Sequence, residues 1–292
     1  MIPGKLAAMR AGAAFAQRWP RAAYLLADGA AAILWAARFR LRRTAIGNLL
    51  PVVGTRRAAF RYSFGVFRSV ARYYVDLALI PRRPPAAFER AHVYVENPEL
   101  LPLVDAPGAT VFVTAHYGHP DQLVQFLTTR RPEFVALVEP LRPPEVAEFV
   151  NALRAAHGGR FLPIGPGAVR RCLEQLRAGG AVALVADRDL TGAGVCVELC
   201  GRWVRLPRGP WELARRTGAR VVPVFFWRVG REEFAARIEP EIVVSRELPL
   251  EAAVARACRE WAQLLERHLR RHPDQWLVLE PFWEVHGCHG EG

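Results

Sequence analysis

The sequence predicts an α/β fold in which a central mixed, mostly parallel sheet is flanked by helices and preceded by a helical, membrane-associating N-terminal section. Three observations carry this. Short apolar runs alternate with helical stretches from about residue 109 onward, aromatic residues recur at helical spacing before residue 90, and prolines separate the two patterns.

In the first section Trp35, Phe39, Phe60, Phe64, Phe67 and Tyr74 recur at three-to-four-residue spacing, and Pro81, Pro84 and Pro85 close it. Beyond it, the runs 110–115, 134–138, 181–186, 195–200 and 220–227 read as strands. Between them 121–129, 144–156, 167–178 and 210–217 read as helices, the last ending at Gly218. A long helix over 250–271 precedes a strand-like 275–279. The expected organisation is a basic helical section over 1–90, an α/β domain over 91–285 and a tail over 286–292.

With 292 residues and 51% hydrophobic content, the chain buries a sizeable core. Five cysteines form an odd count with no CxxC, which argues against a disulfide framework and a zinc ribbon and fits a reducing, cytosolic setting. The net charge of +12 is unevenly placed: residues 1–90 hold 16 Lys and Arg against Asp28, Asp76 and Glu89, while the remainder holds 24 against 25 acids. That segment also mixes Tyr24, Leu25, Leu26, Ile33, Leu34 and Trp35 with Arg38, Phe39, Arg40, Leu41, Arg42 and Arg43. Such mixing suits a helix lying at an anionic membrane surface, with apolar residues in the acyl boundary and arginines on headgroups. The longest apolar run, 22–37, contains Asp28 and is shorter than the roughly 20 residues of a spanning helix, and no small-residue cleavage site follows it. The alternative is an ordinary helical subdomain with a solvated basic face. Nucleic acid is not an expected partner, since zinc-finger spacing, an RNP-like block and a heptad zipper are all missing from the sequence.

The stretch Thr110-Val-Phe-Val-Thr-Ala-His116-Tyr-Gly-His119-Pro120-Asp121 carries the chemistry. A buried strand ends at His116, Gly118 permits a sharp turn, and Pro120 suits the first position of a helix. His116 therefore stands at a strand tip with Asp121 in a helical first turn, where a carboxylate can orient an imidazole and stabilise its protonated form. No Gly-x-Ser-x-Gly elbow and no well-placed cysteine supplies a covalent nucleophile, so the proton removed belongs to a substrate hydroxyl. Two alternatives stand beside this. The pair satisfies buried polar groups, or His116, His119 and Asp121 bind a metal, for which no second ligand cluster is evident. His119 reads as a helix-capping or exposed residue.

From these residues outward the sequence resembles the lysophospholipid acyltransferase superfamily, in the branch of lipid A biosynthesis and phosphatidylinositol mannoside acyltransferases. The matching blocks run in family order. After His116–x4–Asp121 come Ala186-Asp187-Arg188-Asp189-Leu190-Thr191, Val197-Glu198-Leu-Cys-Gly201, Leu206-Pro207-Arg-Gly209-Pro210, and Thr217-Gly218-Ala219 leading into Val221-Val222-Pro223-Val224. His272-Pro273-Asp274-Gln275-Trp276 resembles the closing motif, and Gly47-Asn48-Leu49-Leu50-Pro51 and Arg68-Ser-Val-Ala-Arg72-Tyr73-Tyr74 also resemble this branch. The resemblance implies acyl transfer from acyl-CoA or acyl-carrier protein, as co-substrate and without metal or cofactor, to a lipid-linked sugar on the cytoplasmic face of the bacterial inner membrane. It implies His116 as base, Asp121 as its orienting partner and Glu198 as a further active-site carboxylate. Arg154 (or its neighbour Arg160) and Arg188 would hold donor phosphate or oxyanion, with Asp187 and Asp189 ordering the site; the alternatives are surface or ion-pair arginines, turn-capping aspartates and, since Val195, Val197 and Leu199 alternate with Cys196, Glu198 and Cys200, a solvent-facing Glu198 on a strand edge. His119 stands where relatives carry Asn, and Cys200 replaces an aromatic residue. The rival readings are a thioester or lipid hydrolase using the same base and a non-enzymatic membrane-surface protein.

Overall fold

The computed structural model describes residues 4–288. Four helices open the chain: α1 (Lys5–Arg18), α2 (Pro20–Ala37), α3 (Phe39–Val53) and α4 (Arg56–Leu79), followed by the short α5 (Pro85–His92). Local chemistry sets their ends. Pro20 starts α2 at a position that needs no amide donor, Gly54 ends α3 in the left-handed conformation, and the Thr55 hydroxyl caps α4 by accepting from the Ala58 amide at 3.3 Å. Asp28, the charge that interrupts the apolar run of α2, faces inward, where Arg72 of α4 donates to it at 2.7 and 2.5 Å. α4 is the spine of this section. It packs against α1, α2 and α3 on one side and against the turn 273–275 on the other, where Gly65 leaves room for Asp274.

The α/β region follows in the order β1 (Val93–Val95), α6 (Leu101–Asp105), β2 (Thr110–Thr114), α7 (Pro120–Arg130), β3 (Val135–Val138), α8 (Pro144–Arg154), β4 (Arg160–Pro163), α9 (Pro166–Arg177) and β5 (Ala181–Val185). A hairpin of β6 (Val195–Leu199) and β7 (Arg202–Leu206) then leads to α10 (Gly209–Thr217), β8 (Arg220–Arg228), β9 (Phe234–Ile238), α11 (Leu250–Arg271) and α12 (Phe282–Val285). The 7-stranded sheet has the order β1-β9-β8-β2-β5-β3-β4. Strands β8, β2, β5, β3 and β4 run parallel, β9 is antiparallel to β8, and β1 is parallel to β9, so the sheet is mixed and mostly parallel as expected.

Both faces are covered. Val111 and Val113 of β2 join Trp211, Phe225 and Trp261 on the α10–α11 side, while Phe112 joins Leu123, Phe126 and Phe226 on the α7 side, the period of two that a strand imposes. The chain leaves β2 toward β3 and later returns from β5 toward β8 on the opposite side of β2. The crevice beyond the carboxyl ends of β2 and β5 is therefore a topological switch point, where open α/β sheets bind ligands.

Three expectations need correction. The segment 275–279 is not a strand: after a tight turn over Pro273–Gln275 it makes one isolated bridge between Trp276 and Tyr117. Strands β1, β4, β7 and β9 were not foreseen. And the odd cysteine count does not leave all five thiols free, because Cys196 of β6 and Cys288 form a disulfide with Cα atoms 6.2 Å apart, closing the chain ends of residues 92 apart in sequence. The start of the expected tail is accordingly docked, with Gly287 bridged to Val204 and His286 buried, while residues past Cys288 lie outside the described range.

Candidate active site

The site grows from the tip of β2, whose five residues are all buried. Past Thr114 the chain leaves the sheet at His116 and turns at Gly118, whose φ of 58° and contact with Phe226 exclude any side chain: a Cβ there would lie 1.9 Å from the Phe226 carbonyl oxygen. Four backbone bonds pin the turn. The amide of Ala186 donates to Thr114 O at 2.8 Å, Leu277 N to His116 O at 2.7 Å, Gly118 N to Gln275 O at 2.7 Å and His119 N to Phe226 O at 2.9 Å. The closing segment 275–277 thus clamps the strand tip.

The neighbouring strand β5 delivers Asp187, which is fully buried. Its Oδ1 accepts from the His116 backbone amide at 3.1 Å and lies 2.8 Å from His116 Nδ1, and its Oδ2 accepts from the Trp276 indole at 3.3 Å. Burial pushes the Asp187 carboxyl up, but the charge and hydrogen bonds of His116 pull it further down, to a net value below the ordinary carboxylate range. An ionised carboxylate only accepts, so the imidazole proton sits on Nδ1 and Nε2 remains for the cleft that His116 lines.

Asp121, the expected orienter, is engaged elsewhere in this structure. It is 5% exposed, its Oδ1 accepting from Arg154 Nε at 2.9 Å and its Oδ2 from the Tyr73 hydroxyl at 2.5 Å, while Arg154 Nη2 donates to the Tyr73 oxygen at 3.1 Å. The reason is sheet order: β5 lies beside β2 and brings a carboxylate to the ring directly, whereas the first turn of α7 carries Asp121 toward α4 and α8. Burial raises the Asp121 carboxyl, and Arg154 with His119 more than offsets it, so this group too is held ionised.

The other expected residues separate clearly. Glu198 is not brought to His116: strand alternation turns Val197 and Leu199 inward and leaves Glu198 exposed opposite Trp203, and it lines neither cleft described here. Arg154 lines the cleft, while Arg160 is exposed at the start of β4. Arg188 stands at the cleft mouth, bonded to Glu280 at 2.6 and 3.1 Å and to Glu139 at 3.2 Å. Asp189 caps its own turn, accepting from Thr191 N, Thr191 Oγ1 and Gly194 N at 2.9, 2.7 and 2.7 Å. His119 is neither exposed nor capping: it is 1% exposed, packed between Tyr73 and Phe234, with Nε2 at 3.5 Å from Asp76.

Sequence reasoning missed Asp76 and Tyr73. Asp76 is fully buried amid Arg83, Arg228, His119 and the Tyr24 hydroxyl; burial raises its carboxyl, but the close approach of His119 and the arginine charges hold it at about 2. The available signal was its isolation as one of three acids among 16 cations in the first 90 residues.

From His116 a cavity of about 290 Å³ runs across the sheet face. Its floor is Ala183 of β5 and Ala136 of β3, its roof Leu123 and Val124 of α7 with Val150 of α8, and Phe161 of β4 lies at the far side. Crossing from β2 to β4 covers three strand spacings, roughly 14 Å. The lining is mostly apolar, and His116 stands at one end of it. A second groove of about 360 Å³ adjoins it at Arg188 and Leu190. Among the described residues no group of three His, Cys, Asp or Glu side chains is placed to hold a metal ion.

The family model described as bacterial lipid A biosynthesis acyltransferase matches residues 7–284. The chain belongs to that family. It is therefore an acyltransferase. It is 27% identical over 218 residues to a phosphatidylinositol mannoside acyltransferase of Mycolicibacterium smegmatis, covering 74% of this chain and 70% of the relative. It is 30% identical over 176 residues to one of Mycobacterium tuberculosis, covering 59% of this chain, so that it spans about half (54%) of that relative. Among solved structures, the 1-acyl-sn-glycerophosphate acyltransferase of Thermotoga maritima aligns with a TM-score of 0.36 and 22% identity over 77% of this chain and 95% of that one.

A slot that held the donor chain would set its length. Filling its floor with Ala183→Leu or Ala136→Leu is expected to move donor preference toward shorter acyl chains, each lost methylene contact weakening long-chain transfer by about 0.8 kcal/mol. Comparing kcat/KM across a donor series checks this, and an unchanged preference would place the chain elsewhere.

Proposed function

We propose that the chain transfers a long-chain acyl group from acyl-CoA or acyl-carrier protein to a hydroxyl of a glycolipid of the phosphatidylinositol mannoside or lipid A type. The observation that carries this is the His116 Nδ1 to Asp187 contact of 2.8 Å at the open end of the apolar slot. In this reading the acceptor hydroxyl lies between Nε2 and the thioester. Nε2 takes its proton as the oxygen attacks the carbonyl carbon, and collapse expels the thiol, which recovers the proton. No acyl-enzyme forms. The two mannoside acyltransferase relatives favour that acceptor class. Arg188 at the mouth stands where a donor phosphate would pass.

The reaction takes place, in this proposal, on the cytoplasmic face of the inner membrane with the enzyme peripherally bound. Leu25, Leu26, Ile33 and Leu34 of α2 are 61%, 63%, 69% and 44% exposed, and Phe39 of α3 is 56% exposed among the exposed Arg38, Arg40 and Arg43. Among the described residues no single helix is long and apolar enough to cross a membrane; α2 and α3 reach that length and composition only as a pair bent by 94°. A reducing face would open the Cys196–Cys288 disulfide of this structure, with the tail still held by the bonds from Arg205 N to His286 O and from Cys288 N to Trp203 O. The variant Leu25→Ser/Ile33→Ser is expected to cosediment with anionic vesicles about 10–100-fold less well than wild type, and added salt to weaken wild-type binding. Equal binding by the variant would contradict the surface assignment.

The direct test incubates full-length protein with vesicles containing phosphatidylinositol mannoside or a lipid A precursor and labelled palmitoyl-CoA. Label in the glycolipid is the expected result. Label in free fatty acid alone would make the protein a hydrolase.

A further inference from the structure

One polar group in the slot is left out of every network described so far. Thr114, the last residue of β2, is 2% exposed, and its Oγ1 has no hydrogen-bond partner. It lines the same slot as His116, two residues before it, and pairs in register with Val185 of β5. A buried hydroxyl with no partner is costly, and a β-branched apolar residue would fill the same volume without that cost.

Three of the neighbouring amides are occupied. The His116 amide is bonded to Asp187, the Gly118 amide to Gln275 and the His119 amide to Phe226. Arg154 is committed to Asp121, Tyr73 and Asn151, and Arg188 to Glu280 and Glu139. Among the described residues that line the slot, Thr114 Oγ1 is the buried side-chain polar atom without a partner. A chain lying along the slot with its reactive end at His116 passes its carbonyl over the end of β2, next to this hydroxyl.

We propose that Thr114 Oγ1–H donates a hydrogen bond to the thioester carbonyl oxygen and stabilises the charge that develops there. As the acceptor oxygen bonds to the carbonyl carbon, the π pair moves onto this oxygen and the acceptor proton onto His116 Nε2. When the oxyanion re-forms the double bond, the C–S bond breaks and the thiolate takes the proton from His116. Thr114 exchanges no proton. Its bond is stronger to the anion than to the carbonyl, so its effect falls on kcat. The inference rests on the transfer reading above.

Thr114→Val preserves volume and strand propensity, so its melting temperature is expected to equal or exceed that of wild type. With palmitoyl-CoA and glycolipid vesicles it should lose about 10²-fold in kcat with little change in KM, and Thr114→Ser should regain most of the rate. The spectroscopic counterpart uses palmitoyl-CoA labelled at its carbonyl carbon and bound to the inert His116→Ala protein. The carbonyl stretch should lie lower than in the Thr114→Val/His116→Ala double variant. A Thr114→Val enzyme with wild-type kcat, or identical carbonyl stretches in the two complexes, overturns the assignment while leaving acyl transfer intact. Absence of acyl transfer by wild type itself would overturn both.

Discussion

His116→Ala is expected to lose acyl transfer by about 10²–10⁴-fold in kcat, the range for removal of a positioned general base. The fold should survive it. The His116 side chain is 31% exposed, and its loss leaves Asp187 still bonded to the backbone amide of residue 116 and to Trp276. The slot proposed for the donor chain is lined mainly by residues other than His116, so KM for the donor should change little and the defect should appear in kcat. Rates of labelled glycolipid formation, with melting temperature measured on the same preparations, check the prediction. A variant that turns over at the wild-type rate would remove His116 from the chemistry.

The second large effect separates two carboxylates that the motif alone does not. Asp187→Asn keeps the shape but removes the charge that holds the proton on Nδ1 and stabilises the imidazolium, so kcat is expected to fall by about 10²–10⁴-fold. Asp121→Asn acts differently. It strips the charge partner from Arg154, whose side chain is 16% exposed, and leaves that cation buried, at a cost of about 3–5 kcal/mol in stability. Its folded fraction should retain most of the activity. Chemical denaturation and initial rates on both variants distinguish them; a catalytic collapse in Asp121→Asn with normal stability would restore Asp121 as the partner of the base.

The parts of the fold that were legible are those with unambiguous patterns. Strands β2, β5 and β8 are buried on both faces and therefore read as continuous apolar runs, and helix Leu250–Arg271 matches its expected bounds because its buried residues keep a helical period over many turns. The missed strands lack such runs. β4 is an edge strand bounded by Arg160 and Pro163, β1 has three residues, β7 alternates Arg202 and Arg205 with its apolar positions, and β9 carries Arg237.

The site was legible at His116, where strand, glycine turn and N1 proline coincide. Its partner was not. Sequence spacing favours Asp121, five residues away, but the pairing is decided by the insertion of β5 between β2 and β3, which brings Asp187 within reach from 71 residues away. The same limit applies to Cys196–Cys288, joined across 92 residues, whereas the outward turn of Glu198 follows from the alternation of Val195, Val197 and Leu199.

The pairing of His116 with Asp187 is the claim on which the catalytic account turns, and the most direct measurement of it is nuclear magnetic resonance of isotope-labelled histidine in the full-length protein. The account predicts a neutral His116 with its proton on Nδ1, strongly hydrogen-bonded, that signal being lost in Asp187→Asn and kept in Asp121→Asn. A proton on Nε2 in the neutral ring, or a His116 spectrum that responds to Asp121→Asn and ignores Asp187→Asn, would contradict it.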